Sequence, residues 1–394
     1  MQAHATTRIL KLLNETPSQG RIPRQIQSDH GPVLQTASKP KLLNTCITQC
    51  HESDAILIDP LSGRNLAKCN SMLILSKEDV KKIFDVNDAI ECVEESFREL
   101  GSGRVTMSRS NMNVPKHTGT FLTMSAYLER ANALGVKIVT AYKDNPSRFN
   151  VPTLFATIVL SKPETGEVVS VMDGSYITAL RTAAASAVAT KYLAREDSQL
   201  LGIIGTGVQG RSHLAAISKV RSINKCLAYD IDRNSLLKFE SDMSKELGIE
   251  VVRSENSKQV VTGSDIIVAA TTSSTPVVKG EWLRKGTHVN SIMSMPTMRE
   301  LDDAAISSAK IVVDNKDHCI RDPEDLVIPL AKGIISEDQI VELGDIVVGK
   351  EKGRTTRDQI TIFKPVGLPS HDVISALKVY EKAKAGKLGQ PFNL

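Results

Sequence analysis

A glycine-rich loop restricts the fold of this chain more than any other feature of its sequence. Residues 201–213 read LGIIGTGVQGRSH, with glycines at positions 205, 207 and 210. The apolar run before the loop predicts a buried strand, and Val208–Val220 predict the helix that follows it. A G-x-G-x-x-G loop between a buried strand and a helix is typical of a dinucleotide-binding site.

Each glycine of this loop has its own physical reason. Gly205 permits the tight turn, Gly207 leaves room for a pyrophosphate, and Gly210 lets the helix pack closely on the strand. The start of the helix offers free N–H groups and a partial positive charge to phosphates. A tight turn without a ligand is the alternative interpretation.

The second strand of this region ends in YDIDR, which places Asp230 where a carboxylate accepts hydrogen bonds from ribose hydroxyls. This position favours NAD, because the 2′-phosphate of NADP would meet a negative charge. Arg233 lies nearby and keeps NADP open as the less favoured cofactor.

Strand-like and helix-like segments alternate after the glycine loop, which predicts an α/β fold with a doubly wound parallel sheet of the Rossmann type. Upstream, short strand-like runs and a hairpin turn at KPETGE predict a smaller α+β domain. An alanine-rich helix, SYITALRTAAASAVATKYLA, links the two. We expect a flexible extension over residues 1–70, the smaller domain over 71–180 with a C-terminal helix in 365–394, and the Rossmann domain with the linker helix over 181–364.

Composition argues against several classes of protein. The chain has 394 residues, a net charge of +4 and no tract rich in lysine and arginine, so we expect no nucleic-acid partner. No apolar run is long enough to span a bilayer, so we expect no membrane partner. Residues 1–70 lack the apolar segment of a secretory signal, which favours a cytoplasmic location. Their basic, acid-poor character leaves an organellar transit peptide open.

The six cysteines are scattered along the chain, which suits a reducing compartment better than a disulfide framework. Cys46, Cys50 and His51 have the residue types of a metal site, but no second pair follows at zinc-site spacing. We therefore expect no bound metal.

Three cations stand out upstream of the glycine loop: Arg109, Lys137 and Arg181. Lys137 lies inside a strand pattern between Val and Ile, and Arg181 lies among small residues of the alanine-rich helix. Charges are rare in such settings unless they are paired or functional. Taken singly, each is more often a solvated or salt-bridged residue.

The sequence segments around these cations and downstream of them, taken in chain order, resemble the ornithine cyclodeaminase/mu-crystallin family. They are RSNMNVP, GVKIVTAY, VVSVMDGSYITALRTAA, GIIGTGVQGRSH, MRELDD, VELGDIVVGK and TIFKPVGLPSHD. The resemblance spans roughly residues 70 to 390 and is most specific at MDGSYITALRTAA. It implies a Rossmann domain inserted between parts of a smaller domain that binds substrate and forms a homodimer.

The resemblance further implies that Arg109, Lys137 and Arg181 surround the carboxylate of a small amino, imino or 2-oxo acid. Guanidinium groups hold such a carboxylate bidentately. This contact directs the substrate α-carbon towards C4 of the nicotinamide, and the hydride moves between these two carbon atoms. The two Arg charges should lower the pKa of Lys137, and a partly neutral Lys then exchanges a proton with the substrate nitrogen or with water.

We assign catalysis to Lys137, Arg181 and Ser294. The cofactor contacts expected from the loop and the resemblance are Thr182, Gly205, Thr206, Gly207, Val208, Gln209, Gly210, Asp230, Thr271 and Ser294.

This chain departs from the ornithine cyclodeaminases at two positions. Ser294 stands where those enzymes carry an Asp that handles the distal amine of ornithine, and Ser cannot act as a comparable base. Leu122 or Thr123 stands where they carry another acidic residue. Glu300 or Asp302 could substitute, which is the alternative interpretation.

The apolar side chains of Leu122, Met293 and Met295 favour a substrate with a small or apolar side chain. We therefore predict an NAD-dependent oxidoreductase that interconverts an L-amino acid with its imine or 2-oxo acid, as alanine dehydrogenases and ketimine reductases do. The segments KDNPSRFNVP and LGQPFNL weakly resemble a branch that splits amino-acid conjugates. The alternatives are an ornithine cyclodeaminase, which makes L-proline and ammonia, and a non-catalytic binding protein like mu-crystallin.

Overall fold

The computed structural model describes residues 56–58, 65–68, 71–295 and 297–393. Most of the expected N-terminal extension, including Cys46, Cys50 and His51, lies outside these ranges. Within the extension, strands β1 (Ile56–Ile58) and β2 (Asn65–Lys68) pair antiparallel.

A seven-stranded, mostly antiparallel sheet is built from the regions in which apolar and polar residues alternate. Its strand order is β17-β3-β8-β7-β6-β5-β4, and only β3 and β8 pair in parallel. The KPETGE turn joins β7 to β8, so the predicted hairpin is confirmed. The strands are β3 (Met72–Leu75), β4 (Val105–Val114), β5 (Gly119–Leu128), β6 (Ala133–Tyr142), β7 (Leu154–Ser161), β8 (Val168–Asp173) and β17 (Gln390–Phe392).

Helices cover the inner face of this sheet, by which we mean the face that carries the buried side chains. Ser76 and Asp85 cap the first two helices through capping boxes with Asp79 and Asp88. The resulting core includes Phe97, from a helix, and Ile158, from β7. The helices of this half are α1 (Lys77–Ile83), α2 (Val86–Gly101), α3 (Asn145–Phe149), α4 (Ser175–Leu193) and α12 (Pro369–Ala385).

The second sheet has eight parallel strands in the order β11-β10-β9-β12-β13-β16-β14-β15. The chain leaves β9 on one side for β10 and returns on the other side at β12, so the order reverses there, as in a doubly wound sheet. The predicted Rossmann class is therefore confirmed. The strands are β9 (Leu200–Ile204), β10 (Lys225–Tyr229), β11 (Glu250–Arg253), β12 (Ile266–Ala269), β13 (His288–Ser291), β14 (Lys310–Val313), β15 (Ile340–Glu342) and β16 (Thr361–Lys364).

The helices of this half include the predicted Val208–Val220, which has the bounds expected from the sequence. The helices are α5 (Val208–Val220), α6 (Arg233–Leu247), α7 (Ser257–Gly263), α8 (Asp303–Ser307), α9 (Lys316–Cys319), α10 (Glu324–Ala331) and α11 (Leu343–Val347). Short 3₁₀ turns occupy Pro115–His117, Gly280–Trp282 and Glu337–Gln339. Within the described ranges, no helix combines the length and hydrophobicity that crossing a bilayer requires.

Candidate active site at the carboxyl edge of the parallel sheet

The glycine loop lies between β9 and α5, at the point where the strand order reverses. Gly205 has a φ of 95°, and a Cβ there would lie 2.3 Å from the carbonyl oxygen of Ala270. A Cβ at Gly210 would lie 2.2 Å from the carbonyl oxygen of Gly205. Gly207 is exposed, and a Cβ there would meet nothing within 4 Å. The loop is thus closed on the protein side and open at Gly207, which fits a pyrophosphate.

Asp230, the predicted ribose ligand, also stabilises the glycine loop through hydrogen bonds. Its Oδ2 accepts hydrogen bonds from the backbone N–H of Thr206 at 2.7 Å and from the Thr206 hydroxyl at 2.8 Å. Its Oδ1 accepts from the N–H of Asp232 at 2.9 Å. Thr206 is buried and Asp230 is half-buried. The carboxylate therefore fits a ribose ligand and also fixes the turn.

The other two residues predicted from the start of α5 differ in exposure. Val208 is 67% exposed on the open side of the loop. Gln209 is half-buried, and its Oε1 has no hydrogen-bond partner among the described residues. Its carbonyl oxygen contacts Nδ1 of His213 at 2.7 Å.

Two of the three predicted cations share one register position on the antiparallel sheet. Arg109 of β4 pairs with Met124 of β5, which pairs with Lys137 of β6. Opposed residues of antiparallel strands project from the same face. Neighbouring strands are spaced about 4.8 Å apart, so the backbones of Arg109 and Lys137 are about 10 Å apart on the inner face.

The third cation joins them through a residue that the sequence analysis did not assign, Asp372 of α12. The Lys137 Nζ lies 2.6 Å from Asp372 Oδ2, and the Arg181 Nε donates to Asp372 Oδ1 at 2.9 Å. All three side chains are buried. Asp372 lies in the first turn of α12, where the helix dipole stabilises a carboxylate. Its position after Pro369 in LPSHD was the available signal.

Burial is the largest influence on the pKa values of Lys137, Asp372 and His371. Burial lowers the pKa of Lys137, the Arg181 charge lowers it further, and Asp372 opposes both, which leaves a pKa of about 7. The predicted direction is confirmed, but the main cause is desolvation rather than the Arg charges. Burial opposes ionisation of Asp372, yet Arg181 and Lys137 outweigh it and lower the pKa of this carboxyl group. Burial lowers the pKa of His371, beside Asp372, to about 3.

Arg181 lines a cavity of about 150 Å³ between α4 and the carboxyl edge of the parallel sheet. Among the described residues, Arg181 hydrogen-bonds only through its Nε, which leaves both terminal nitrogens for an anion. The predicted Thr182 lies on the same wall. The cavity is lined by Arg181, Thr182, Ala185, Ile292, Asp314, Pro365, Val366 and Gly367.

Arg109 forms an ion pair with a residue from the half of the protein that contains the parallel sheet. Its Nη1 donates to Oδ2 of Asp322, in the segment between α9 and α10, at 3.2 Å. The Arg109 side chain is 20% exposed and the Asp322 side chain 40%. Within the described part of the chain this is the only hydrogen bond of the Arg109 side chain, so the rest of the guanidinium group remains for a ligand.

The predicted Ser294 lies in the loop that follows β13, and Thr271 lies in the loop that follows β12. Ser294 is half-buried. The N–H and hydroxyl of Thr271 both donate to Glu300 Oε1, at 2.7 and 3.1 Å. Both loops leave the carboxyl edge of the sheet, where ligands of doubly wound folds bind.

The two carboxylates considered as substitutes at the distal-amine position have other partners. Glu300 is fully buried and accepts hydrogen bonds from Thr271, Ser291 and Met293. Asp302 accepts from the N–H groups of Gly280 and Ala305 and caps α8. Both carboxylates already accept hydrogen bonds from the protein's own N–H and hydroxyl groups, which argues against that alternative.

At the second point of departure from the cyclodeaminases, Leu122 is opposed by Val139, two residues from Lys137 along β6, and so lies on the inner face. Thr123 lies on the opposite face by alternation. Met295 is 46% exposed. The inner face therefore carries an apolar residue at the place in question.

Comparisons with known proteins agree on one family. The model of the ornithine cyclodeaminase/mu-crystallin family matches residues 70–387. A Delta(1)-pyrroline-2-carboxylate reductase from Bacillus cereus is 35% identical over 323 residues, which are 81% of this chain and 99% of that protein.

Two solved structures extend this finding. Thermococcus litoralis Delta(1)-pyrroline-2-carboxylate reductase in complex with NADH and L-proline is 44% identical with a TM-score of 0.79, covering 81% of this chain and 99% of that one. An archaeal alanine dehydrogenase dimer with bound NAD is 34% identical with a TM-score of 0.77, covering 82% and 99%.

Proposed function

Because the chain belongs to the ornithine cyclodeaminase/mu-crystallin family, we propose that it reduces a small cyclic imino acid of the Delta(1)-pyrroline-2-carboxylate type to the L-amino acid. It is an NAD-dependent oxidoreductase that transfers hydride. The observation that carries the substrate proposal is the Arg181 guanidinium on the cavity wall, tied with Lys137 to Asp372. This arrangement offers an anion site and a proton donor side by side.

The proposed reaction is balanced with one hydride and one proton. The C=N double bond of the ring becomes a single bond as the carbon gains hydride and the nitrogen gains a proton. NADH supplies the hydride when it is bound and leaves as NAD⁺. The protein's own task is to hold the substrate carboxylate, deliver the proton and keep water out.

Arg181 and Arg109 bind the substrate carboxylate in this scheme. Arg181 is fixed by Asp372 through Nε, so its terminal nitrogens meet the carboxylate without reorganisation. Lys137 donates the proton to the substrate nitrogen, because its pKa of about 7 keeps both protonation states populated near neutrality. Asp372 positions both cations and touches no substrate.

Alanine dehydrogenase is the second candidate, since the archaeal alanine dehydrogenase shares 34% identity over 82% of this chain. Its substrate needs the same carboxylate contact and proton exchange. Ornithine cyclodeaminase has less support, because Ser294 lacks a carboxylate and because Glu300 and Asp302 already accept hydrogen bonds from other groups of the protein.

The test measures NADH absorbance with three substrate sets in parallel. We expect NADH oxidation with Delta(1)-pyrroline-2-carboxylate and formation of L-proline. Faster oxidation with pyruvate and ammonia would favour alanine dehydrogenase. Ammonia released from L-ornithine without net NADH change would favour a cyclodeaminase. Lys137→Ala should abolish turnover and still bind NADH, whereas a pure binding protein has no turnover to lose.

The homodimer is also part of the proposal, with the outer face of the antiparallel sheet as its interface. Val136, Val159 and Val171 form an apolar row across β6, β7 and β8 on the face opposite Lys137. Each is only half-buried in the single chain. A row of this kind is typical of a surface that a second copy covers. The archaeal alanine dehydrogenase structure is a dimer.

A cytoplasmic location completes the proposal. The described cysteines, Cys92, Cys226 and Cys319, are buried free thiols. Thiols that remain unpaired support a reducing compartment.

A further inference from the structure

A fully buried polar network lies beneath the two loops that carry Thr271 and Ser294. Its first member is Glu300, whose Oε1 accepts from the N–H and hydroxyl of Thr271. Its Oε2 accepts from the Ser291 hydroxyl at 2.8 Å and from the N–H of Met293 at 3.1 Å. One carboxylate thus connects the end of β12 to the end of β13.

Lys364, the last residue of β16, extends this network. Its Nζ donates to the Ser291 hydroxyl at 2.9 Å and to the carbonyl oxygen of Met293. The Ser291 hydroxyl therefore accepts from Lys364 and donates to Glu300. The peptide groups on both sides of Met293 are held, one by Glu300 and one by Lys364, immediately before Ser294.

Asp325 of α10 closes the network. Its Oδ2 lies 2.5 Å from Lys364 Nζ, and its Oδ1 accepts from the N–H groups of Glu300 and Leu301 at 2.9 and 2.7 Å. Glu300, Asp325 and Lys364 are all 0% exposed. Three ionisable groups from three segments thus meet at one edge of the sheet.

Stability alone does not account for such a network. Burying three ionisable groups carries a large desolvation cost, and apolar residues of similar volume are often as stabilising. Hydrogen bonds to ionised groups, however, fix geometry more tightly than apolar contacts do. The groups fixed here are the two loops at the carboxyl edge, where a doubly wound sheet receives its ligand.

We propose that Glu300 and Lys364 are positioning residues that hold the Thr271 and Ser294 loops against the nicotinamide end of NAD(H). They act through Ser291 and Met293 and touch neither cofactor nor substrate. The inference rests on the proposed function only for the presence of a nicotinamide cofactor, and it is independent of which imino or oxo acid is reduced.

A matched pair of serine variants tests this proposal in the full chain. Ser291→Ala removes the hydroxyl between Lys364 and Glu300. Ser264→Ala removes another fully buried hydroxyl, which donates to the carbonyl oxygen of Val260 and precedes β12 at the opposite edge of the sheet. Glu300→Gln serves as the stronger variant if it folds.

The readouts are affinities for NADH and for ADP-ribose, which lacks the nicotinamide, by fluorescence titration and calorimetry. We expect Ser291→Ala to weaken NADH binding roughly tenfold and to leave ADP-ribose binding unchanged. Ser264→Ala should change neither affinity. Equal loss of both ligands in Ser291→Ala, or no loss of either, would overturn the proposal.

These titrations stay informative whatever the substrate is. If the cyclic imino acid is not reduced, the proposed function fails. The titrations still test the positioning role, because they measure NADH affinity without turnover. Where turnover is present, C4-deuterated NADH should give a larger isotope effect in Ser291→Ala than in the unaltered protein, because misplacement slows hydride transfer. An unchanged isotope effect contradicts the proposal.

Discussion

The ammonium nitrogen of Lys137 lies 2.6 Å from the carboxylate of Asp372, and neither side chain is open to solvent. The same carboxylate binds Arg181 at 2.9 Å. One buried anion therefore holds two cations whose mutual repulsion would otherwise separate them. The Arg181 guanidinium is thereby fixed on the cavity wall, and the Lys137 ammonium, whose pKa is lowered, is fixed behind it on the other side of Asp372.

Asp372→Asn should weaken the fold and shift the pH profile. Removing the buried carboxylate leaves the buried Arg181 charge uncompensated and lowers the free energy of unfolding by about 3 kcal/mol. Because Asp372 raises the pKa of Lys137, its loss moves that pKa below about 7 and moves the activity limb to lower pH. Thermal unfolding and the pH profile of kcat/KM measure both effects. Asp358→Asn, in an exposed pair with Lys285, is the control.

The pH dependence of the unaltered enzyme should have opposite signs in the two directions. Reduction of the imine needs protonated Lys137, so kcat/KM falls as pH rises through about 7. Oxidation of the amino acid needs neutral Lys137, so kcat/KM rises through the same range. Lys137→Arg does not titrate there, and any residual activity should lack this limb. Parallel profiles in both directions would exclude Lys137 as the proton donor.

Arg181→Lys should reduce kcat/KM about 100-fold, because an ammonium cannot contact Asp372 and grip a carboxylate bidentately at once. Steady-state kinetics with the imino acid measure this loss, and NADH affinity should change little. The control is Arg253→Lys, since Arg253 forms a half-exposed pair with Glu240 at the edge strand β11. A wild-type rate in Arg181→Lys contradicts the carboxylate-binding role.

Asp230→Asn should raise the KM for NADH roughly tenfold and lower the KM for NADPH, because it removes the charge that repels a 2′-phosphate. Thr206→Val is the matched control. It removes the hydroxyl that donates to Asp230 and keeps the charge, so both KM values should rise together. An unchanged NADPH to NADH ratio in Asp230→Asn shows that this carboxylate does not select the cofactor.

Val159→Glu should convert the proposed dimer into monomers, since it places a charge in the apolar row on the outer face of the sheet. Light scattering coupled to size-exclusion chromatography measures the mass. Leu237→Glu is the control, because Leu237 is an apolar residue that is 40% exposed on α6. A monomeric unaltered chain, or a dimeric Val159→Glu variant, refutes this interface.

Local patterns were sufficient for much of the fold. The glycine loop, the helix Val208–Val220 and the β7–β8 hairpin all depend on residues within a few positions of one another. The steric requirement for glycine at position 205 and the alternation of apolar residues both depend on residues that are close in sequence, so they can be predicted from it. Strands β15 and β16 were not predicted, although both belong to the parallel sheet, because IVE and TIFK each contain only two adjacent apolar residues.

By itself, then, the sequence determined the parallel sheet, its nucleotide loop and the three cations that are candidates for substrate binding. Only the tertiary structure decided which carboxylate meets them, because Arg181 and Asp372 are 191 positions apart and come together through the packing of α12 on the first sheet. It likewise decided that Glu300 serves two loops rather than a substrate amine. Such pairings depend on long-range packing and on the exclusion of water, and no local pattern of residues records either.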